Sequence, residues 1–240
     1  MLEAEVSFQV DMNRIMDLVK EMLVCLTKDL FTTRVGREVL HGTRSGDQHG
    51  DADKRVNDLN KRWQGMIQGR WPRITYSEAI KTLRNSRQDF QHTPTWGSGL
   101  QAEHERFLAT EVGQGGPVFV TNYPKQIKPF YMLPSTNSDK HGETVECFDL
   151  LVPETCEIVG GSMREHRLEP LMESMRANGM IGPGPDDLGS LRWYIDLRRW
   201  GSVPHGGFGL GFDRLLGYLA GVQNIREIVT FPRWHGRCDC

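Results

Sequence analysis

The sequence predicts an α+β fold: an antiparallel sheet flanked by helices. Two observations carry this. In the first third of the chain apolar residues recur every three or four positions, as in Ile15, Val19, Met22, Leu26 and Leu30. That is the period of a core-facing helix. From residue 117 onward the texture changes to short β-rich runs joined by tight turns, without crossover helices between them. Such runs pair antiparallel, and segregated helices and strands make the class α+β.

Taken in order, Met1 to Val6 alternates like a strand already under way. A helix follows over about 11–31. Residues 42–54, rich in Gly and Asp, read as a linker or loop. Val56, Leu59, Trp63 and Ile67 define a second amphipathic helix. Ile74 to Ser77 leads into a short helix capped by Thr75 or Ser77, with Glu78 in its first turn. Residues 86–100 are irregular, and Glu103 to Glu111 is helical. Strands are expected at Val118–Thr121, Phe130–Leu133, Val145–Val152 and Glu157–Val159, the last two joined by a turn through Pro153. A helix is expected over Arg164–Ala177, with Pro170 in its first turns. A Gly/Pro-rich loop covers 179–189. Leu191–Leu197 reads as a strand, and a final helix runs from about Gly211 to Ala220.

Composition sets bounds. The chain has 240 residues and a formal net charge of −2. That argues against non-specific nucleic-acid binding by bulk charge, while leaving room for a local basic face. No apolar run approaches the roughly 18 residues of a membrane span. Five scattered cysteines with no leader ahead of them point to a reducing compartment rather than a disulfide framework. His235, Cys238 and Cys240 cluster at the tail, but a zinc site wants four ligands. Fourteen of the 26 glycines follow residue 159, which directs attention there.

Three constellations in or near that region carry possible chemistry. In Gly207-Phe208-Gly209-Leu210-Gly211-Phe212-Asp213-Arg214, glycine at every second position strips one face of a strand and leads into a helix with Arg214 in its first turn. Either a flat ligand lies on the bare face with a phosphate at Arg214, or strand and helix pack tightly. The spacing fits neither a dinucleotide fingerprint nor a P-loop. Asp149 and Glu157 flank the Pro153 hairpin and face each other across two strands. They are either a Mg²⁺ site or two solvated charges. In Glu157 to Arg167, Gly160 and Gly161 admit a ligand, and Arg164 at a helix start either holds a carboxylate or amide or joins a surface ion pair. His104, His166 and His205 are acid–base candidates by type alone. No nucleophile elbow is present.

These residues carry a resemblance. Gly207 to Arg214 resembles motif 3 of class II aminoacyl-tRNA synthetases. Trp193 to Arg199, Val203 to Arg214, Asn224 to Glu227 with Phe231 to Arg233, Asn122 to Lys125, Lys128 to Met132, Asp149 to Pro153, and Trp96-Gly97 with Glu103 to Arg106 are similar to the asparaginyl-tRNA synthetases. The tail, Trp234 to Cys238, resembles the fungal organellar type. The resemblance spans residues 1–240 as one catalytic domain, except for a divergent insert at 32–72. It implies ATP and Mg²⁺ as cofactors. Asp149 and Glu157 would hold the metal, and Glu157 and Arg214 would be catalytic. Glu157, Gly209, Gly211, Phe212, Asp213 and Arg214 would bind ATP. Gly160 and Arg164 would bind the amino acid. Asparagine and tRNA(Asn) would be the substrates and a homodimer the full-length state, in the mitochondrial matrix or alternatively the cytoplasm, without a membrane. An aspartate–tRNA ligase is the alternative, since the eight-residue separation of Asp149 and Glu157 and the Asp-Leu-Arg-Arg run favour asparagine. Ammonia-dependent asparagine synthetase is a weaker one. A third is a non-catalytic synthetase-like fragment, although Asp149, Glu157, Arg164 and Arg214 are all retained.

The family's motif 1, the arginine strand of its motif 2 and its N-terminal anticodon-binding domain have no counterpart here. Met1 to Glu5 matches only the returning strand of motif 2. The 240 residues alone are therefore expected to give no asparagine-dependent ATP–pyrophosphate exchange. Detectable exchange by the purified chain would overturn this.

Overall fold

The computed structural model describes residues 1–42, 51–136, 139–184 and 187–236. Its centre is a six-stranded sheet: β1 (Leu2–Ser7), β2 (Arg73–Thr75), β3 (Val118–Thr121), β4 (Cys147–Val152), β5 (Cys156–Met163) and β6 (His205–Leu210). Their spatial order is β1-β6-β5-β4-β3-β2. Four pairings are antiparallel as expected. The fifth is not, because β2 runs parallel to β3. The chain returns between them through two helices, a crossover that parallel strands require.

Helices cover the sheet unequally. On one face α1 (Met12–Thr32), α3 (Asp51–Gln68) and α8 (Phe212–Ala220) build the larger core with Phe119, Phe148, Leu150, Phe208 and Leu210. In α1 the buried stripe is Met12, Ile15, Met16, Val19, Leu23 and Thr27, so the expected Leu26 is exposed. Buried Thr27 satisfies its hydroxyl on the Leu23 carbonyl at 2.7 Å. Helix α2 (Arg34–His41) and α3 both pack against α1. Leu40, Leu59, Trp63 and Met66 sit in this core, and Trp63 donates its indole N–H to Leu219 O at 2.8 Å. The 32–72 region is thus packed into the fold wherever it is described. Of the loop read over 42–54, residues 43–50 lie outside the described residues, and 51–54 begin α3.

On the opposite face α4 (Tyr76–Asn85) and α5 (Ala102–Glu111) cover β2, β3 and β4, through Val118, Val120, Cys147 and Leu151, and α5 also reaches β5. Thr75 is the α4 cap, in a reciprocal capping box with Glu78. Neither α4 nor α5 covers β6 and β1 on that face. A third cluster joins α6 (Leu168–Ala177) to α7 (Arg192–Arg199).

Three readings need correction. Leu191–Leu197 is not a strand: Gly189–Leu191 forms a 3₁₀ turn and α7 follows. Ile195 and Arg198, three apart, face inward together, and Arg198 donates to Glu165 O at 3.1 Å. Tertiary contact overrides the β-prone Trp-Tyr-Ile run. Phe130–Leu133 is a turn with a single bridge from Met132 to Arg164. Arg164 lies just beyond β5, and its helix starts later, at Leu168, which puts Pro170 in the first turn.

Candidate active site

The uncovered face is built row by row. One row across the strands runs Val120, Asp149, Gly160, Gly209, Glu3. Two adjacent strands contribute no side chain there, which leaves a slot between two carboxylates. The next row on the same face, two residues or about 7 Å along, runs Cys147, Ser162, Gly207, Glu5. Gly161 faces the other way. A Cβ there would lie 2.3 Å from Phe148 Cζ, so its role is packing.

Asp149 and Glu157 do meet, but not as direct cross-strand partners. Asp149 pairs with Gly160, and Glu157 pairs with Leu151. A bulge opposite Leu150 and Leu151 shifts the alternation by one. That puts Glu157 on the glycine face rather than the core face. A Cβ on Gly160 would lie 2.9 Å from Glu157 Oε1 and 3.5 Å from Asp149 Oδ1, so both carboxylates converge over this one glycine.

Two groups that the sequence reading missed complete this end. Lys128 donates to both Asp149 oxygens, at 3.0 and 2.8 Å, and stands 4.0 Å from the centre of the Tyr123 ring. Burial works against its charge, but Asp149 outweighs it and raises the ammonium. Glu105, from α5, accepts the Glu157 N–H at 3.3 Å. Burial first, and the Asp149 charge second, push the Glu157 carboxyl up. Arg214 sits at the third position of α8 and donates to Glu157 O at 2.5 Å. Its stem covers Gly211, whose Cβ position lies 3.3 Å from Arg214 Cδ. Three carboxylates thus face two cations. The surplus negative charge and the hard oxygen donors of Asp149 and Glu157 fit a divalent cation of the Mg²⁺ kind. Phe212 and Asp213 are the first two residues of α8, with Phe212 exposed.

The Lys128–Asp149 pair is mostly buried, with 17% and 13% of the side chains exposed. Lys128→Met is expected to destabilise the chain by roughly 3 kcal/mol, since removing one partner strands the other charge. Chemical denaturation reads this, and Asp149→Asn in the same chain should recover part of the loss.

Glu105 is pushed up to about 7, first by burial and then by the Glu157 and Asp149 charges. A carboxyl raised on folding holds its proton more tightly in the folded state. Its contribution is therefore whole below the ordinary value of 4.5 and is lost as pH rises through 7. One pKa step is worth about 1.4 kcal/mol. In EDTA, the stability advantage of Glu105→Gln over wild type is expected to grow by up to about 3 kcal/mol across that range. A pH-independent difference in urea midpoints would contradict it.

At the other end Arg164 does find a carboxylate, though from an unexpected strand. Its Nη2 donates to Glu5 Oε1 at 2.6 Å, its Nε reaches both Glu5 oxygens, and its Nη1 donates to Ser162 Oγ. The guanidinium stands 5.2 Å from the Tyr131 ring centre. The Glu5 carboxyl lies over Gly207, where a Cβ would come within 2.4 Å of Glu5 Cδ. An acceptor and a donor fork side by side match the N–H and C=O of a carboxamide.

Of the histidines, only His205 shares the glycine face among the three candidates, one row beyond Gly207 on β6 with its C=O accepting from Arg164 N–H at 2.9 Å. His104 is buried in a capping arrangement, with its Nδ1 accepting from Gln101 N–H at 3.1 Å and its Nε2 2.8 Å from His92 O. His205 Nδ1 is 2.8 Å from Val203 O. His166 Nδ1 is buried without a hydrogen-bond partner. Among the described residues no set of three His, Cys, Asp or Glu forms a metal cluster, and no helix is long and apolar enough to cross a membrane. Cys238 and Cys240 lie outside the described residues.

This arrangement of a glycine-floored antiparallel sheet and a helix-borne arginine has relatives. Residues 1–235 match the family described as tRNA synthetases class II (D, K and N). The chain belongs to that family. The mitochondrial asparagine–tRNA ligase of Saccharomyces cerevisiae is 39% identical over 242 residues, covering 97% of this chain and 47% of the relative. Two solved structures, both complexes with asparaginyl-adenylate, share the fold. The Entamoeba histolytica asparaginyl-tRNA synthetase has a TM-score of 0.73 at 28% identity, over 99% of this chain and 48% of its own. The Pyrococcus horikoshii enzyme has 0.72 at 31%, over 98% and 47%. The chain spans half or less of the length of the curated relatives it matches. The incomplete class II catalytic core expected from the motifs is therefore what the chain folds into, with a sheet that is mixed rather than wholly antiparallel.

Proposed function

We propose that this chain supplies the C-terminal catalytic part of an asparagine–tRNA ligase, which activates asparagine with ATP and transfers it to tRNA(Asn). The observation that carries this is the glycine floor between two chemically different ends. Carboxylates and Arg214 lie at one end, and the Glu5–Arg164 pair lies at the other. The first suits a polyphosphate with its cation, and the second suits a carboxamide. Both adenylate-bound relatives support the same reading.

In this reading Asp149 and Glu157 hold Mg²⁺, which when bound neutralises phosphate charge. Arg214 binds the terminal phosphate, where the N-terminal turn of α8 also favours an anion. Gly209, Gly211, Phe212 and Asp213 border the nucleotide. Gly160 leaves room for the amino acid, and Arg164 donates to its side-chain oxygen while Glu5 accepts from its amide. The substrate carboxylate then attacks the α-phosphate in line, and the α–β phosphoanhydride bond breaks to release pyrophosphate and leave the aminoacyl-adenylate. The protein positions and stabilises charge rather than offering a nucleophile. A Glu5 carboxylate repels the second carboxylate of aspartate, so the geometry favours asparagine over the alternative ligase.

The full-length protein, as a homodimer, tests this by ATP–pyrophosphate exchange and by charging of tRNA(Asn). Exchange driven by asparagine supports the proposal. Exchange driven by aspartate replaces it with the sibling ligase. ATP binding without exchange makes the protein a binding relative. Residence in the mitochondrion is supported by the yeast relative's name, and imaging of the full-length protein tagged at its C-terminus checks it against the cytoplasm.

A further inference from the structure

Glu105 stands outside every role assigned above, yet it touches the one irregular point of the site. The bulge leaves Ile158 without a partner on β4 and breaks the ladder next to Glu157, so the orientation of Glu157 depends on what else holds it. Glu157 is held twice through its own backbone. Its N–H is accepted by Glu105 Oε2 at 3.3 Å, and its C=O accepts from Arg214 Nη1 at 2.5 Å. Glu105 comes from α5, which packs on both β4 and β5. The neighbouring Cys156 thiol lies against the same carboxylate, and Cys156 itself has the left-handed φ of 66° that closes the hairpin. A carboxylate is an expensive group to bury beside Asp149 and Glu157, and an ordinary packing position would not select one.

We propose that Glu105 is a positioning residue for the cation and ATP end of the site. Its carboxylate on the Glu157 N–H, together with Arg214 on the Glu157 C=O, keeps the Glu157 side chain on the glycine face. Glu105 acts through Glu157 and touches no substrate. This rests on the ligase reading and deepens it, because it assigns a helix outside the sheet to the control of cation affinity.

The test uses the full-length protein and two variants of similar length, Glu105→Gln, which keeps an oxygen acceptor, and Glu105→Met, which does not. Three readouts apply: Mn²⁺ affinity in the presence of ATP by electron paramagnetic resonance, hydrogen exchange of residues 153–160, and separate KM values for ATP and asparagine. Glu105→Met is expected to weaken Mn²⁺ binding and raise the KM for ATP by roughly tenfold, the effect typical of groups that orient metal ligands. It should also speed exchange at 153–160 and leave the asparagine KM within about twofold, while Glu105→Gln stays within about threefold of wild type. Unchanged Mn²⁺ affinity in Glu105→Met, equal shifts in both KM values, or a Gln variant as impaired as the Met variant would overturn the proposal. So would an unprotected Glu157 amide in the wild-type protein, a measurement that needs no variant to fold. Wild-type protein that binds Mn²⁺ and ATP but supports no asparagine-dependent exchange would remove the ligase reading and leave the Mn²⁺ and hydrogen-exchange readouts to decide the role of Glu105.

Discussion

Arg164→Leu is expected to lower kcat/KM for asparagine about a thousandfold, because it strands a charge and removes the donor fork together. Arg164 makes three contacts to Glu5 and one to Ser162 Oγ, with only 14% of its side chain exposed. Truncating one partner of such a pair costs roughly 2 to 5 kcal/mol, and each 1.4 kcal/mol is about tenfold. Lysine should recover little of this, since a point charge cannot reach both Glu5 oxygens and Ser162 at once. Glu5→Gln separates specificity from affinity. It removes the repulsion toward a second substrate carboxylate, so the aspartate-to-asparagine ratio is expected to rise at least ~10-fold. Parallel exchange assays with the two amino acids in the full-length protein measure both effects. Wild-type-like discrimination in Arg164→Leu would place the side-chain pocket elsewhere.

Gly209→Val is the second large effect, and it should fall on function alone. A Cβ at 209 meets nothing closer than Met1 Sδ at 3.6 Å and Glu3 Cγ at 4.0 Å. Valine suits a strand, so stability should stay within about 0.5 kcal/mol of wild type. The branched side chain would nevertheless fill the slot between Asp149 and Glu3, and ATP binding is expected to fall more than ~100-fold by steric exclusion alone. Gly161→Ala is the control on the opposite face. Its Cβ would be 2.3 Å from Phe148 Cζ and 2.9 Å from Gly207 O, so overpacking should cost about 1 to 3 kcal/mol with the site's groups intact. Calorimetry with ATP and thermal melts of both variants compare these outcomes. The reverse pattern would mean that the two faces have been interchanged.

Much of the architecture was legible before any tertiary contact. Apolar spacing located α1 and α3 because a 3.6-residue period survives in a linear string. Glycine alternation announced β6 and its bare face, and the capping box announced α4. The hairpin around Pro153 brought Asp149 and Glu157 onto neighbouring strands. What failed had a common cause. Trp193 to Leu197 has the composition of a strand, yet packing against α6 and the Glu165 carbonyl makes it a helix. The parallel β2–β3 pair depends on contacts 46 residues apart in sequence, which no local pattern encodes.

For the site itself, the sequence alone determined which residues carry charge near which glycines: Asp149, Glu157, Arg164, Gly160, Gly209 and Arg214. Only the tertiary structure decided how they combine. One bulge turned Glu157 onto the face of Asp149. Pairing of β1 with β6 brought Glu5 across to Arg164, 159 residues away, and α5 and the loop before β4 added Glu105 and Lys128. The reason is physical. Local periodicity sets the face on which a side chain emerges, whereas charge partnership depends on through-space distances of a few ångströms, which register, bulges and helix docking alone set.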